Sequence, residues 1–272
     1  VGSIDNDLSG TDITIGADTA LRRIADAADS LHSTAASHQR IFVLEVMGRN
    51  CGYLALISAI STGADFVLIP EHPPMTDDWR EPMIRVLKEG KKAGKRHGLV
   101  ILSEGAIDRD GNRITGEDVV QALREGLEEE ARLTILGHVQ RGGAPTAFDR
   151  YMSTVQGYEA VQHLIQSAED EQSMIIGMQR NKVTAVPLVD SVERTRSIAG
   201  HIKNGEYDKA IGLRGGSFGD YVETFKTLAQ AFPRPADREK NRGNILLLNA
   251  DSPSPGMNKA IRTLVRIGLD RG

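Results

Sequence analysis

Ser3-Ile4-Asp5-Asn6-Asp7 places two carboxylates two residues apart in a polar stretch. On an extended backbone such residues share a side, so one can act as a base while the other orients a metal ion or a water. The same residues also read as an Asx-rich turn without chemistry. Glu45-Val46-Met47-Gly48-Arg49-Asn50-Cys51-Gly52 follows an apolar run, and strand ends are where α/β sheets carry their ligand loops. Gly48 permits close backbone approach there, although a plain strand-to-helix turn with a solvated arginine fits as well. Gly137-His138-Val139-Gln140-Arg141-Gly142-Gly143 sets a histidine and an arginine at i, i+3 between glycines. Both side chains can donate hydrogen bonds to a phosphate while the backbone closes on it. Ser103-Glu104-Gly105 ends another apolar run with a single acid. Taken alone, these last two are more often a turn and a capped strand end than a site.

Parallel strands must position such loops. Ile41–Val46, Phe66–Ile69, Leu99–Leu102, Val183–Val186 and Ile245–Leu248 are short, β-branched and barely alternating, the pattern of strands buried on both faces. Between them lie helical patterns. Ala17, Ala20, Leu21, Ile24, Ala27, Ala28 and Leu31 share one face. Met83, Ile84 and Leu87 begin a second helix, and Val119, Val120, Leu123 and Leu127 mark a third. Thr115-Gly116-Glu117-Asp118 and Ser217-Phe218-Gly219-Asp220 both have capping-box form. Strand–helix alternation of this kind predicts an α/β fold with a parallel sheet covered on both faces.

Composition narrows the chemistry further. The 272 residues carry a formal charge of −4, with 26% charged and 40% hydrophobic residues. That balance argues against a generic nucleic-acid or anionic-membrane binder. The single cysteine, Cys51, excludes an internal disulfide framework and suits a reducing, cytoplasmic setting. No apolar run approaches the roughly 18 residues of a membrane span. No G-x-G occurs, Glu117 stands where a Walker A loop needs lysine, and H-E-x-x-H and G-x-S-x-G are both missing. Hydride transfer, P-loop hydrolysis and serine-hydrolase chemistry thereby lose their main support. The chain opens on Val1 without an initiator methionine, so it reads as a piece of a longer protein. Pro233 to Gly243 is apolar-poor and charged, which reads as a linker or a long surface loop.

The four segments together are far more specific than any one. Ser-Ile-Asp-Asn-Asp, Glu-Val-Met-Gly-Arg, Ser-Glu-Gly and Gly-His-Val-Gln-Arg-Gly-Gly, in this order and spacing, closely resemble 6-phosphofructokinase. The resemblance implies an incomplete parallel-sheet, three-layer α/β fold of phosphofructokinase type. It implies phosphoryl transfer from MgATP to the 1-hydroxyl of fructose 6-phosphate, with Asp5 as base and Asp7 supporting the magnesium–phosphate geometry. By position it places Ser3, Ile4 and Asp5 at the substrate, with Met47, Gly48 and Arg49 at the sugar phosphate and Arg49 also near the transferring group. Glu104 would accept fructose hydroxyls, and His138, Val139, Gln140 and Arg141 would line the 6-phosphate loop. Arg40 and Arg132 match arginines donated by a neighbouring subunit, which implies a site built from two chains, and the resemblance implies an assembly of homologous subunits, a tetramer or larger.

Leu213-Arg214-Gly215-Gly216-Ser217-Phe218 looks like the eukaryotic enzymes with two fused halves. On that resemblance residues 1–232 are the later part of a catalytic half, 233–243 a linker and 244–272 the start of a regulatory half. Asn249 to Asn258 resembles an opening phosphate loop, but Asp251-Ser252-Pro253 replaces the family's Gly-Gly-Asp. Arg262 and Arg266 match effector-phosphate arginines, or else are solvated charges four apart. The ATP glycine loop and the main magnesium aspartate would precede residue 1, so the chain alone is expected to be inactive. A pyrophosphate donor is the nearest alternative; there the family carries lysine where this chain has Gly2, which favours ATP. A non-catalytic sugar-phosphate sensor is the other alternative, and the retained Asp5 speaks against it.

Overall fold

The computed structural model describes residues 1–168, 172–230, 245–248 and 254–271. Its centre is a four-stranded parallel sheet in the order β2-β3-β1-β4. The strands are β1 (Ile41–Val46), β2 (Phe66–Leu68), β3 (Gly98–Ser103) and β4 (Ala131–Ile135). Alternate residues along β1 and β3 feed two separate cores. Phe42, Leu44, Val46, Leu99 and Ile101 pack with α1 (Ala17–His38), α2 (Tyr53–Thr62) and α8 (Phe218–Ala229). Ile41, Val43, Val100 and Leu102 pack with α3 (Arg80–Lys92) and α4 (Gly116–Leu127). Two buried faces explain why these strands read as continuous apolar runs. The result is a three-layer α/β arrangement, as the sequence indicates.

A second, two-stranded antiparallel sheet pairs β5 (Met174–Gln179) with β6 (Lys182–Pro187). Here the reading of Val183–Val186 as a buried parallel strand is corrected. β6 pairs only with β5, antiparallel, and its residues are exposed or half-buried throughout. The remaining helices are α5 (Ala147–Gln166), α6 (Leu188–Lys203), α7 (Tyr207–Leu213) and α9 (Met257–Arg271).

Ile245–Leu248 is not a strand either. All four residues are exposed and have no regular structure, since no neighbouring strand among the described residues satisfies their backbone. The linker 233–243 and Asp251-Ser252-Pro253 lie outside the described residues.

Capping divides the two proposed boxes. Thr115 Oγ1 accepts from the Asp118 amide while the Asp118 carboxylate accepts the Thr115 amide, a full capping box for α4. Ser217 sits at φ −90°, ψ −15° without a side-chain cap, so its backbone is already helical and the hydroxyl cannot reach the first turn. α1 is capped from far away instead. Asp149 of α5 accepts the Gly16 and Thr19 amides, both at 2.8 Å.

Candidate functional site

The C-terminal ends of β1, β3 and β4 converge because β1 lies between the other two. The loops leaving them are Met47–Gly52, Glu104–Gly105 and the 3-10 turn Gly137–Arg141. In open α/β sheets this end is the place for ligands. The N-terminal segment lies against it.

Asp5 to Asp7 is a turn and not the extended stretch that a shared side would need. Asn6 has φ 51°, and its side-chain oxygen accepts the Thr14 amide at 2.8 Å. The Ser3 hydroxyl accepts the Asp5 amide at 3.2 Å and donates to Asp7 Oδ1 at 3.3 Å. The turn buries Asp5 to 4% exposure, with Oδ2 3.5 Å from Arg49 Nε and Oδ1 lacking any hydrogen-bond partner. Burial, then the neighbouring Asp7 charge, push the Asp5 carboxyl above the usual carboxylate range; Arg49 and Arg141 pull the other way. A buried carboxylate with one free oxygen and raised proton affinity is equipped to take a proton.

Glycines let the other loops close on this turn. Gly48 has φ 141°, and a Cβ there would sit 2.4 Å from the Cys51 carbonyl oxygen. A Cβ on Gly105 would lie 1.9 Å from the Arg49 carbonyl oxygen. Glu104 Oε1 accepts the amides of Gly48 at 3.1 Å and Arg49 at 2.7 Å, so this acid first holds the arginine loop in place. Gln140 is buried at 1% exposure, accepts the Met47 amide at 3.2 Å and donates to the Gly137 carbonyl at 3.0 Å. Its side chain therefore ties the 3-10 turn to the β1 loop.

A cavity of about 460 Å³ opens among these loops, lined by Gly2, Ser3, Ile4, Asp5, Asp7, Ile15, Arg49 and Arg141. A second cavity of about 340 Å³ shares Ile4, Ile15 and Arg141 and continues along Gln140, Gly142 and Gly143. Thus Ser3, Ile4, Asp5, Asp7, Arg49 and Arg141 come together as walls. Met47, Gly48 and Glu104 are on the loops behind them, while His138 and Val139 are exposed on the 3-10 turn. Arg40 and Arg132 are not brought to this cavity. Arg40 precedes β1, Arg132 pairs in register with Phe42, and both form ion pairs with Glu130. Six strand residues, about 20 Å, separate that edge from the Arg49 loop. On α9 Arg266 lies 3.5 Å from the Leu228 carbonyl, its guanidinium lowered by burial and by neighbouring Arg262.

Cys51 is fully buried at the start of α2, and burial followed by the Glu71 charge pushes its thiol well up, against Arg214. The thiolate is the reactive form. Cys51 is therefore expected to resist aromatic disulfide reagents at pH 8 in the folded chain and to react fully in denaturant. Rapid labelling without denaturant would show that this helix start opens.

What sequence reasoning missed is the support beneath the site. Glu71 and Arg214 are both buried, 143 residues apart in the chain, and no local pattern links them.

A parallel-sheet cleft walled by a buried carboxylate, two arginines and glycine-closed loops is of a kind suited to phosphate groups, and the fold is of the α/β class. Residues 1–164 match the family described as Phosphofructokinase, and the chain belongs to that family. It is 48% identical to an ATP-dependent 6-phosphofructokinase of Dictyostelium discoideum, over all of this chain and 32% of that protein. It is 45% identical to the muscle-type ATP-dependent 6-phosphofructokinase of Homo sapiens, over all of this chain and 34% of that one. A phosphofructokinase structure from Saccharomyces cerevisiae superposes with a TM-score of 0.83 at 43% identity, covering 84% of this chain and 30% of the yeast chain. The chain spans about a third of the length of these curated relatives.

Proposed function

We propose that this chain supplies the acceptor side of an ATP-dependent 6-phosphofructokinase site. The observation that carries the proposal is Asp5, buried, with a free carboxylate oxygen, on the wall of a cavity it shares with Arg49 and Arg141. The sugar O1–H passes its proton to Asp5 as O1 bonds to the γ-phosphorus. The bond to the β,γ-bridging oxygen breaks and ADP leaves. Arg49 stands 3.5 Å from the base and would neutralise charge on the transferring group. Arg141, with His138 on the same turn, would hold the 6-phosphate; Met47 and Gly48 would frame the sugar phosphate, and Glu104 Oε2 would face its hydroxyls.

Magnesium fits the donor set only as a partner carried with the triphosphate. The described residues contain no cluster of three or more ligating side chains. Asp7, beside Asp5, matches the one or two carboxylates magnesium takes when phosphates fill its other positions. When bound, the ion would neutralise phosphate charge. Gly2 leaves room for a nucleotide, which favours ATP over pyrophosphate. Arg40 and Arg132 would serve a neighbouring chain's site, and Arg262 and Arg266 an effector phosphate. Residues 1–232 would belong to the catalytic half and 244–272 to a regulatory one, joined by 233–243. With these substrates the role would be in glycolysis and the setting the cytoplasm. Separately, no helix among the described residues is long and apolar enough to cross a membrane.

The test is to assay the full-length natural polypeptide with fructose 6-phosphate and either ATP or pyrophosphate, measuring fructose 1,6-bisphosphate. Turnover with ATP alone supports the reading. Turnover with pyrophosphate alone moves the donor, and binding without turnover leaves a sugar-phosphate sensor. In the same enzyme Arg141→Ala is expected to raise the KM for fructose 6-phosphate about 10-fold or more, since a charge-assisted hydrogen bond is worth about 1.5–3 kcal/mol. An unchanged sugar-phosphate KM with a raised KM for ATP would assign this loop to the nucleotide instead.

A further inference from the structure

Arg214 closes α7, 207 residues beyond Asp7, yet its guanidinium reaches both active loops. Nη1 donates to the Asp7 carbonyl at 3.1 Å, Nη2 to the Asn50 carbonyl and Nε to Glu71 Oε1 at 2.7 Å. Glu71 is wholly buried and Arg214 nearly so, with side-chain exposures of 0% and 5%. Both Glu71 oxygens accept the Gly52 amide, at 3.1 and 2.9 Å, at the start of α2. A Cβ on Gly52 would lie 2.7 Å from Glu71 Oε2, so the carboxylate seats directly on backbone.

Neither side chain lines the Asp5 cavity. A buried ion pair adds little stability over well-packed apolar residues of the same volume, so stability alone does not account for it. The fork geometry does. Three donors of one rigid plane meet acceptors on three separate segments, a span that the point charge of lysine cannot make.

We infer that Arg214, seated on Glu71, is a positioning residue that locks the Asp5–Asp7 turn and the Arg49 loop into one register. Through Asp7 it sets the turn that carries the base, and through Asn50 the loop that carries Arg49. The 3.5 Å approach of Asp5 to Arg49 is what this register delivers. The inference rests on the phosphoryl-transfer reading for its kinetic consequence, while its structural consequence stands without it.

The experiment uses the full-length polypeptide with Arg214→Lys, which keeps the charge opposite Glu71, and the double variant Glu71→Met/Arg214→Met, which replaces the pair by apolar volume. Hydrogen exchange should rise together by at least about 10-fold at the Asp5 amide and at those of Gly48, Arg49 and Cys51 in Arg214→Lys. kcat should fall about 10–100-fold, as displacement of reacting groups by an ångström or so does. The double variant removes the ion pair but also the side-chain partners of the Gly52 amide and of the Asp7 and Asn50 carbonyls, so it should fold with a modestly lower Tm and show the same kcat loss. Unchanged exchange in these two loops, or a kcat within twofold of wild type in a folded variant, overturns the inference. Misfolding of both variants also overturns it, since the pair would then be a structural element only. If the wild type transfers no phosphoryl group from ATP, the functional reading falls, and the exchange data still decide whether Arg214 joins the loops.

Discussion

Replacing Asp5 by asparagine in the full-length enzyme is expected to lower kcat by about 10²–10⁴-fold while leaving the KM for fructose 6-phosphate nearly unchanged. The exchange is close to isosteric. Asparagine keeps an oxygen toward Arg49 but cannot take up a proton. Arg49 is 69% exposed, so losing its charged partner leaves it in water and not stranded in a core. The fold around Asp5 depends instead on its amide, which donates to Ser3, and on Asn6, which accepts from Thr14. Neither bond is touched. A loss confined to kcat would identify a group that acts in the transition state. A near-normal kcat with a much larger KM would make Asp5 a binding residue. Asp7→Asn provides the contrast, because its expected signature is a raised magnesium requirement, which Asp5→Asn should not share.

How far this site could be read in advance depended on whether its parts were local. Gly48 and Gly105 sit beside the residues they serve, and their need for bare backbone is visible as a glycine next to a strand end. The apolar β1 and β3 were legible for a related reason, since two cores on opposite faces leave no polar alternation. Long-range partners left no such trace. Asp149 caps α1 from 130 residues away, and Arg214 reaches Glu71 across 143. Ile245–Leu248 shows the converse error. Its apolar run is as strand-like as β1, but a run becomes a strand only beside a partner, and none is present among the described residues. Asp5 and Asp7 lie in one loop, and of the two readings their spacing allows, an extended shared side or an Asx-rich turn, the structure has the turn. The turn at Asn6, and not a shared strand face, gives Asp5 its burial.

Arg132→Ala is expected to raise the KM for fructose 6-phosphate about 10–100-fold, although Arg132 is remote from the cavity of its own chain. Its position makes the argument. Arg132 and Arg40 lie at the N-terminal edge of β4 and β1, while every wall of the Asp5 cavity lies at or beyond the opposite edge. A sheet strand is too stiff to let an arginine turn back across about 20 Å. Both arginines instead converge on Glu130, exposed to solvent, where a phosphate from another chain could displace that carboxylate. Exposed pairs of this kind are worth about 0–1 kcal/mol, so exchanging one anion for a dianionic phosphate is uphill by little or not at all. The consequence is complementation. Mixed oligomers of Arg132→Ala and Asp5→Asn chains contain some sites with the base from one chain and the arginine from the other. Such sites should recover part of the activity that either homo-oligomer lacks, and dilution to monomers should raise the sugar-phosphate KM of the wild type. Co-expression of the two variants, with turnover followed through an enzyme dilution series, makes the measurement. No recovery in verified mixed oligomers, together with a KM independent of enzyme concentration, would leave Arg132 a surface residue whose carboxylate partner is its only ligand.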